Sequence, residues 1–424
     1  MKKIIVISLV FLSAINMLMA QKQDKPQQFR YSKNVPAGFD TNRLARLDSV
    51  LQKLVDNGTI PHAVTFVALH GKVIHNKSFG WRNIENKIPC RKDDYFRMAS
   101  QTKAITAVAV MTLFEEGKIL LDDPIKKYIP EFANPKVMMS FNESDSSFTT
   151  RAANKDITIR HLLTHTSGIS YGSDKSRKMY DKMGIPISPL YTLEHKTLSE
   201  VIKLLASCPL EHDPGEKFSY GMSVDVLGYL IEVVTGKPVD QYFNERIFKP
   251  LGMNNTFFYL PTENENQLVT LYQTSANGPL IKNQNQIYQT FPIAGAKTFF
   301  STGAGLSGTI EDYAKFCQMI LNGGEFNGHR ILGRKTVELM CRNQVKDLRG
   351  DIGFGLAFDD FRAAYTPKTI ASEGSLRWGG MFGTDYVIDP KEDLILLFYI
   401  NLQPNNSGID LKVLFHNLVY QALD

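Results

Sequence analysis

Cysteine is scarce in this chain, with four in 424 residues, at positions 90, 208, 317 and 341. They are too few and too scattered for a disulfide framework, and no CxxC pair suggests a structural metal site. A Cys317–Cys341 bridge would suit an exported protein and buried thiols suit any protein; buried thiols are the expectation. Long apolar runs are equally few. Only residues 1–20, MKKIIVISLVFLSAINMLMA, approach the length of a membrane span, so no later segment is expected to cross a bilayer. No run of basic residues is interleaved with aromatics, which removes nucleic acid from the expected partners. Internal repeats and low-complexity tracts are absent as well.

What is present is an ordinary globular composition, 43% hydrophobic, sufficient for a large core. Lys2 and Lys3, the apolar run and the small Ala20 read as a cleavable secretory signal over 1–20, with the mature start near Gln21. An uncleaved anchor is the other reading, because Leu18 is larger than the usual residue two before a cut. No cysteine lies near the junction, so neither a lipid anchor nor any stable membrane anchor is expected. Removing Lys2 and Lys3 takes the formal charge from +5 to +3. The expected location is periplasmic or secreted. Residues 21–38 read as a polar leader and 39–424 as a single folded domain.

Hydrophobic periodicity organises that domain. Leu44, Leu47, Leu51 and Leu54 recur on one helical face from Thr41, and Asn57 with Gly58 closes the pattern. HAVTFVALHGKVIHNKSFGW reads as a hairpin about His70 and Gly71. Near the other end, TDYVIDP and DLILLFYINLQ read as paired strands about Pro390, and residues 409–423 as a closing amphipathic helix. The expected fold is α+β in layers: a central antiparallel sheet built from both chain ends, flanked by helices, with an inserted helical subdomain roughly over 100–300. Residues 139–156, MSFNESDSSFTTRAANKD, read as a loop or flap.

The only SxxK in the chain is Ser100-Gln101-Thr102-Lys103, and it opens the most apolar helical stretch, AITAVAVMTLF over 104–114. Residues three apart share a helical face, so the Lys103 amine can reach the Ser100 hydroxyl and take its proton. Burial and a helix N-terminus both favour a neutral amine over an ammonium, which suits a base. The plain alternative is an N-cap serine beside a solvated lysine. Two further segments weigh against it. Tyr220 precedes a helix whose apolar face includes Val224, Leu227, Leu230, Ile231 and Val234, so its phenol stands at a helix entrance, where it can shuttle protons. In LRWGGMFGTDYVIDP, from Leu376, Gly379 and Gly380 remove side chains where another group approaches a strand. The amide of Met381, with that of Ser100, would then form a two-donor oxyanion hole. Trp378, Gly379, Gly380, Met222 and Tyr171 are the expected substrate-binding residues.

SQTK at 100, HLLTHTSGI at 161, YGMS at 220, GAGLSGT at 303 and WGGMFGTDYVIDP at 378 resemble the serine β-lactamase and penicillin-binding protein superfamily, in order and over nearly the whole mature chain. The nearest likeness is to the class C-like branch of carboxylesterases and D-stereospecific peptidases, where Trp-Gly-Gly stands for Lys-Thr-Gly. This resemblance implies a β-lactamase/transpeptidase-like fold, Ser100 as nucleophile, Lys103 and Tyr220 as the base pair, and Met381 with Ser100 as oxyanion amides. Two departures bear on substrate. Tyr220 is followed by Gly221 and Met222 where lactamases of this branch have Tyr-x-Asn, and Trp378 supplies no cation for a carboxylate, leaving Arg377 next door to compensate. A neutral ester or small amide is therefore expected. SDN, KTG and GxSxG are all missing, against a class A β-lactamase and an α/β-hydrolase.

Gly303, Gly305 and Gly308 spell GxGxxG, but no βαβ run surrounds them, and Thr309 with Asp312 reads instead as a capped helix start. His161 and His165 lack the glutamate of a zinc-protease string and read as scaffold. No metal or organic cofactor is expected. The expected function is an exported serine hydrolase working through an acyl-enzyme. The alternatives are a β-lactamase or D-alanyl-D-alanine carboxypeptidase or D-aminopeptidase, and, in another class, a non-catalytic penicillin-binding-type sensor or wall-binding module.

Overall fold

The computed structural model describes residues 28–31, 38–142, 144–145, 147–172, 174–186, 191–275, 279–362 and 369–424. The signal expected over 1–20 and most of the leader expected over 21–38 lie outside those residues. Among the described residues nine strands form one sheet, numbered here in chain order. They are β1 (Arg30–Tyr31), β2 (His62–Leu69), β3 (Lys72–Asn83), β4 (Ile88–Pro89), β5 (Ile352–Phe354), β6 (Asp359–Phe361), β7 (Leu376–Gly379), β8 (Asp385–Asp389) and β9 (Leu394–Tyr399). The order across the sheet is β1-β3-β2-β9-β8-β7-β6-β5, with β4 paired to β3. All neighbours are antiparallel except β1 beside β3.

The expected hairpin turns at His70 and Gly71, with φ of 51° and 67°. Two left-handed residues in a two-residue turn match the twist of the flanking strands. The centre of the sheet joins the two chain ends, with Leu394 opposite Leu69 and Tyr399 opposite Val64. Successive side chains face opposite sides. Val64, Phe66 and Ala68 enter one core, and Ala63, Val67 and Leu69 the other. Both faces are covered, so all of β2 is buried and its sequence is continuously apolar apart from His62 and Thr65.

Five helices matter for the site: α1 (Thr41–Asp56), α2 (Thr102–Glu115), α3 (Ser223–Thr235), α4 (Ile310–Leu321) and α5 (Leu411–Tyr420). Helices α1 and α5 cover one face of the sheet, and α2, α3 and α4 supply the core on the other. Asp40 caps α1 by accepting from the amides of Asn42 and Arg43, while Leu44, Leu47 and Leu51 turn inward. Thr309 caps α4 as expected, accepting from the Asp312 amide. Every residue of α2 from Thr102 to Leu113 is buried. Each aliphatic side chain so buried contributes about 1.5–3 kcal/mol, which holds this helix from all sides.

Between Phe96–Arg97 and β5 the described residues add no strand to the sheet; helices and small separate ribbons fill that span. One ribbon differs from expectation. Residues 139–156 contain most of a hairpin, Lys136–Phe141 against Phe148–Ala152, rather than a loop. Serine and threonine hydroxyls pair across it, Ser140 with Thr149 at 2.6 Å, so polar composition here serves a solvent-facing strand pair. All four cysteines are free. Burial pushes the Cys208 and Cys341 thiols up to about 12. No helix of the described residues is long and apolar enough to cross a membrane.

Candidate active site

The chain reaches Ser100 through a kink. Ala99 is fully buried with φ of 46°, a left-handed conformation that costs a non-glycine residue about 1–2 kcal/mol. Ser100 follows in a short 3₁₀ turn, Ala99–Gln101, from which α2 continues. Lys103, in the first turn of α2, is 1% exposed, and its Nζ donates to the Ser100 Oγ at 3.3 Å. The expected serine–lysine contact is therefore made.

Two other oxygens complete the surroundings of the amine: Nζ donates to the Tyr171 hydroxyl at 2.8 Å and to the Gly303 carbonyl at 2.8 Å. Tyr220 reaches the same place by its ring, whose centroid is 4.7 Å from Nζ. Its hydroxyl is buried and has no hydrogen-bond partner among the described residues. Of the two phenols, then, Tyr171 bonds to the lysine and Tyr220 lies against it. Burial, foremost, pushes the Tyr171 phenol well above its ordinary value, which keeps its proton in place.

Three rings fix Tyr220. His165 lies 4.6 Å away between centroids, Trp378 5.4 Å and Tyr171 5.5 Å. Burial holds the His165 imidazole well below its usual range, so it packs as a neutral ring. Gly221 lets this happen, because a Cβ there would collide with the backbone of Ser170, beside Tyr171. Met222, expected at the pocket wall, is 2% exposed and packs in the main core at the start of α3. It is a core residue because the chain turns inward after Gly221.

The end of β7 completes the arrangement. Gly380 lies against Met98, two residues before the serine, so closely that a Cβ would collide with the Met98 carbonyl. Thr384 donates its hydroxyl to the same carbonyl at 3.2 Å. Between them Met381 sits half-buried, and its amide has no acceptor among the described residues. Gly379 and Trp378 are half-buried beside it.

A sequence profile for the family described as Beta-lactamase matches residues 47–415. The chain belongs to the beta-lactamase family. It is 31% identical over 373 residues to Protein Rv1367c of Mycobacterium tuberculosis, covering 84% of this chain and 90% of that protein. It is 30% identical over 396 residues to Esterase EstB of Burkholderia gladioli, covering 89% and 95%. Among solved structures, EstCE1, a hydrolase with promiscuous acyltransferase activity, matches with a TM-score of 0.74 and 27% identity over 89% of this chain and 99% of that one.

In this beta-lactamase family member Arg377 does not take up the role left open at position 378. Neighbouring strand residues face opposite ways, and the Arg377 Nε bonds to the Asp385 carboxylate at 3.2 Å, away from Trp378. Asp385 in turn bonds to His416 of α5 at 2.7 Å. Around Ala99 and Met381 the site carries an aromatic wall that the sequence did not announce. Tyr191 stacks on Phe291 at 3.7 Å, Tyr288 meets Phe382 at 5.4 Å, and the Tyr191 hydroxyl donates to the Ala304 carbonyl at 2.8 Å. These aromatics come from separate stretches of chain, and no spacing rule links them. Among the described residues no group of His, Cys, Asp or Glu is arranged to hold a metal ion.

Proposed function

We propose that this protein is a serine hydrolase acting through an acyl-enzyme on a carboxylic ester or small amide. The reading rests on one observation: the Ser100 hydroxyl lies 3.3 Å from an amine that is buried and held on two further oxygens. At that distance proton exchange between hydroxyl and amine is direct. Ser100 attacks the carbonyl carbon as its proton passes to Lys103; the carbonyl electron pair moves to oxygen, facing the amides of Met381 and Ser100. Tyr171 stays protonated and positions the amine. Tyr220, whose hydroxyl has no partner among the described residues, gives its proton to the leaving group and takes back the one held by Lys103; in the second half a proton from the attacking water passes through Tyr220 to Lys103 and on to the Ser100 oxygen as the acid leaves. Trp378 and the aromatic wall give the acyl site an aromatic lining, which favours neutral substrates over the carboxylates of β-lactams and cell-wall peptides.

Esterase EstB and EstCE1 support the ester reading by likeness. The decisive experiment is a screen of purified protein against short nitrophenyl esters, D-amino-acid amides and a chromogenic cephalosporin. A Ser100→Ala variant and fluorophosphonate labelling run beside it. Ser100-dependent ester hydrolysis well above cephalosporin hydrolysis is expected. Cephalosporin turnover matching the esters would give the protein to the lactamase reading, and labelling without turnover would make it a sensor. We propose further that the protein works outside the cytoplasm; an exported form whose N-terminus is near Gln21 is the expected result of N-terminal sequencing.

A further inference from the structure

Gly303, whose carbonyl accepts from Lys103, is itself held through its amide by a carboxylate. Asp225 lies on α3, five residues after Tyr220, and is 1% exposed. Its Oδ1 accepts from the Gly303 amide at 2.9 Å and from the Ser301 hydroxyl at 2.9 Å. The approach leaves no room for a side chain: a Cβ at Gly303 would collide with Asp225, and one at Gly228, on the same helix, with Thr302. Thr302 is tied to both helices. Its hydroxyl donates to the Val224 carbonyl at 3.0 Å, and its carbonyl accepts from the Thr106 hydroxyl at 2.7 Å. Residues 301–303 are thus clamped between α2, which carries the lysine, and α3, which follows Tyr220.

The second carboxylate oxygen, Oδ2, is buried and takes no donor among the described residues. A buried carboxylate in that state needs a nearby positive charge. Burial raises the Asp225 carboxyl, and the charge on Lys103 is the foremost influence against that rise. Around Lys103 stand the hydroxyls of Ser100 and Tyr171, the Gly303 carbonyl, the Tyr220 ring and the neutral His165 ring, with Asp225 supplying the negative charge.

We propose that Asp225 is a positioning residue for the Ser100 site: through Gly303 it fixes the Lys103 amine on the serine, and its carboxylate is the counter-charge within the clamp that holds that amine. The inference rests on Ser100 being the nucleophile. Asp225 neither gains nor loses a proton in the cycle. The proton moves from Ser100 to Lys103, and the carboxylate stays as counter-charge.

The test is the pH profile of kcat/KM for 4-nitrophenyl acetate in the wild type, Asp225→Asn and Ser301→Ala, with thermal melts confirming folding. The asparagine keeps the acceptor for Gly303 and Ser301 while removing the charge. Its plateau is expected to fall roughly tenfold to a hundredfold with KM within about twofold, as for a slightly misplaced catalytic group. Its acidic limb moves to lower pH, because losing a negative neighbour eases deprotonation of a cation. Ser301→Ala keeps the charge and keeps its limb in place. If the asparagine variant does not fold, Asp225→Ser, smaller and also uncharged, carries the same expectation. A limb that stays put in a folded, uncharged variant overturns the inference whatever the plateau does, and so does an equal limb shift in Ser301→Ala. Absence of Ser100-dependent turnover and of fluorophosphonate labelling in the wild type would instead bring down the hydrolase reading and this inference with it.

Discussion

As an ammonium the Lys103 head group has three donors for three oxygens, on Ser100, Tyr171 and Gly303; as the amine that takes the serine proton it keeps two, and its lone pair faces Ser100. Its two neighbouring phenols should respond differently to losing their hydroxyls. Tyr171→Phe removes a hydrogen bond to a charged group, worth about 1.5–3 kcal/mol, so kcat/KM should fall roughly tenfold to a hundredfold and the melting temperature should drop. Tyr220→Phe removes a buried hydroxyl that has no partner among the described residues. The melting temperature should hold or rise, while kcat falls about 10²–10⁴-fold if this group moves protons. Ester kinetics and melts on the two variants check both. Ser100, Lys103 and Tyr220 were legible in the sequence because helix geometry fixes what a three-residue spacing can do, and because a helix entrance marks the tyrosine. Asp225 was not, and Tyr171 was singled out only as a substrate-binding residue, not as the partner of Lys103. Tyr171 lies 68 residues from the lysine, and Asp225 reads as one polar residue on an apolar helix.

Among the elements, the β7–β8 pair carries both the turn with Met381 and a buried ion cluster behind it. Burial alone would raise the Asp385 carboxyl, but Arg377, His416 and Lys412 outweigh it and hold the group at about 2. An aspartate in the unfolded chain titrates near about 3.9, so its folded value is depressed. The stability it contributes is present above about 4 and is lost as pH falls through about 2. Asp385→Asn should cost about 3–5 kcal/mol at neutral pH, since it strands the surrounding cations, and should flatten this acid dependence. Urea midpoints at pH 7 and pH 3 measure both effects. Elements with one dominant pattern were legible, α1 by its leucine stripe and β2 and α2 by their nearly unbroken apolar runs. The hairpin at 136–152 was not, because only Val137 of its strand residues is buried, too little for an apolar alternation, and serine reads as loop.

For the whole molecule, buried histidines shape the response to mild acid. His62 is fully buried at the edge of the sheet's centre, its Nδ1 donating to the Trp81 carbonyl at 3.0 Å and its Nε2 accepting from the Asn401 amide at 3.1 Å. Burial, foremost, lowers this imidazole to about 4, and burial lowers His161 likewise to about 4. The unfolded chain takes up protons below about 6.5 while the folded chain does not, so stability falls as pH drops from about 6.5 to about 4. His62 alone should account for about 3 kcal/mol at the bottom of that window. Melting temperatures across the range should decline steadily, and the decline should be shallower in a folded His62→Asn variant.

The central pairing of β2 with β9 has one more consequence, for the order in which the molecule can be assembled. A nascent chain halted after residue 375 would already contain the serine, the lysine and both phenols, yet it would lack the strand that walls them and the strand that zips the two halves together. Closing a loop of that span comes late and slowly. Activity should therefore arise only once the last eighth or so of the polypeptide has been made, and the unfinished chain should expose the apolar faces of β2 to whatever meets it first.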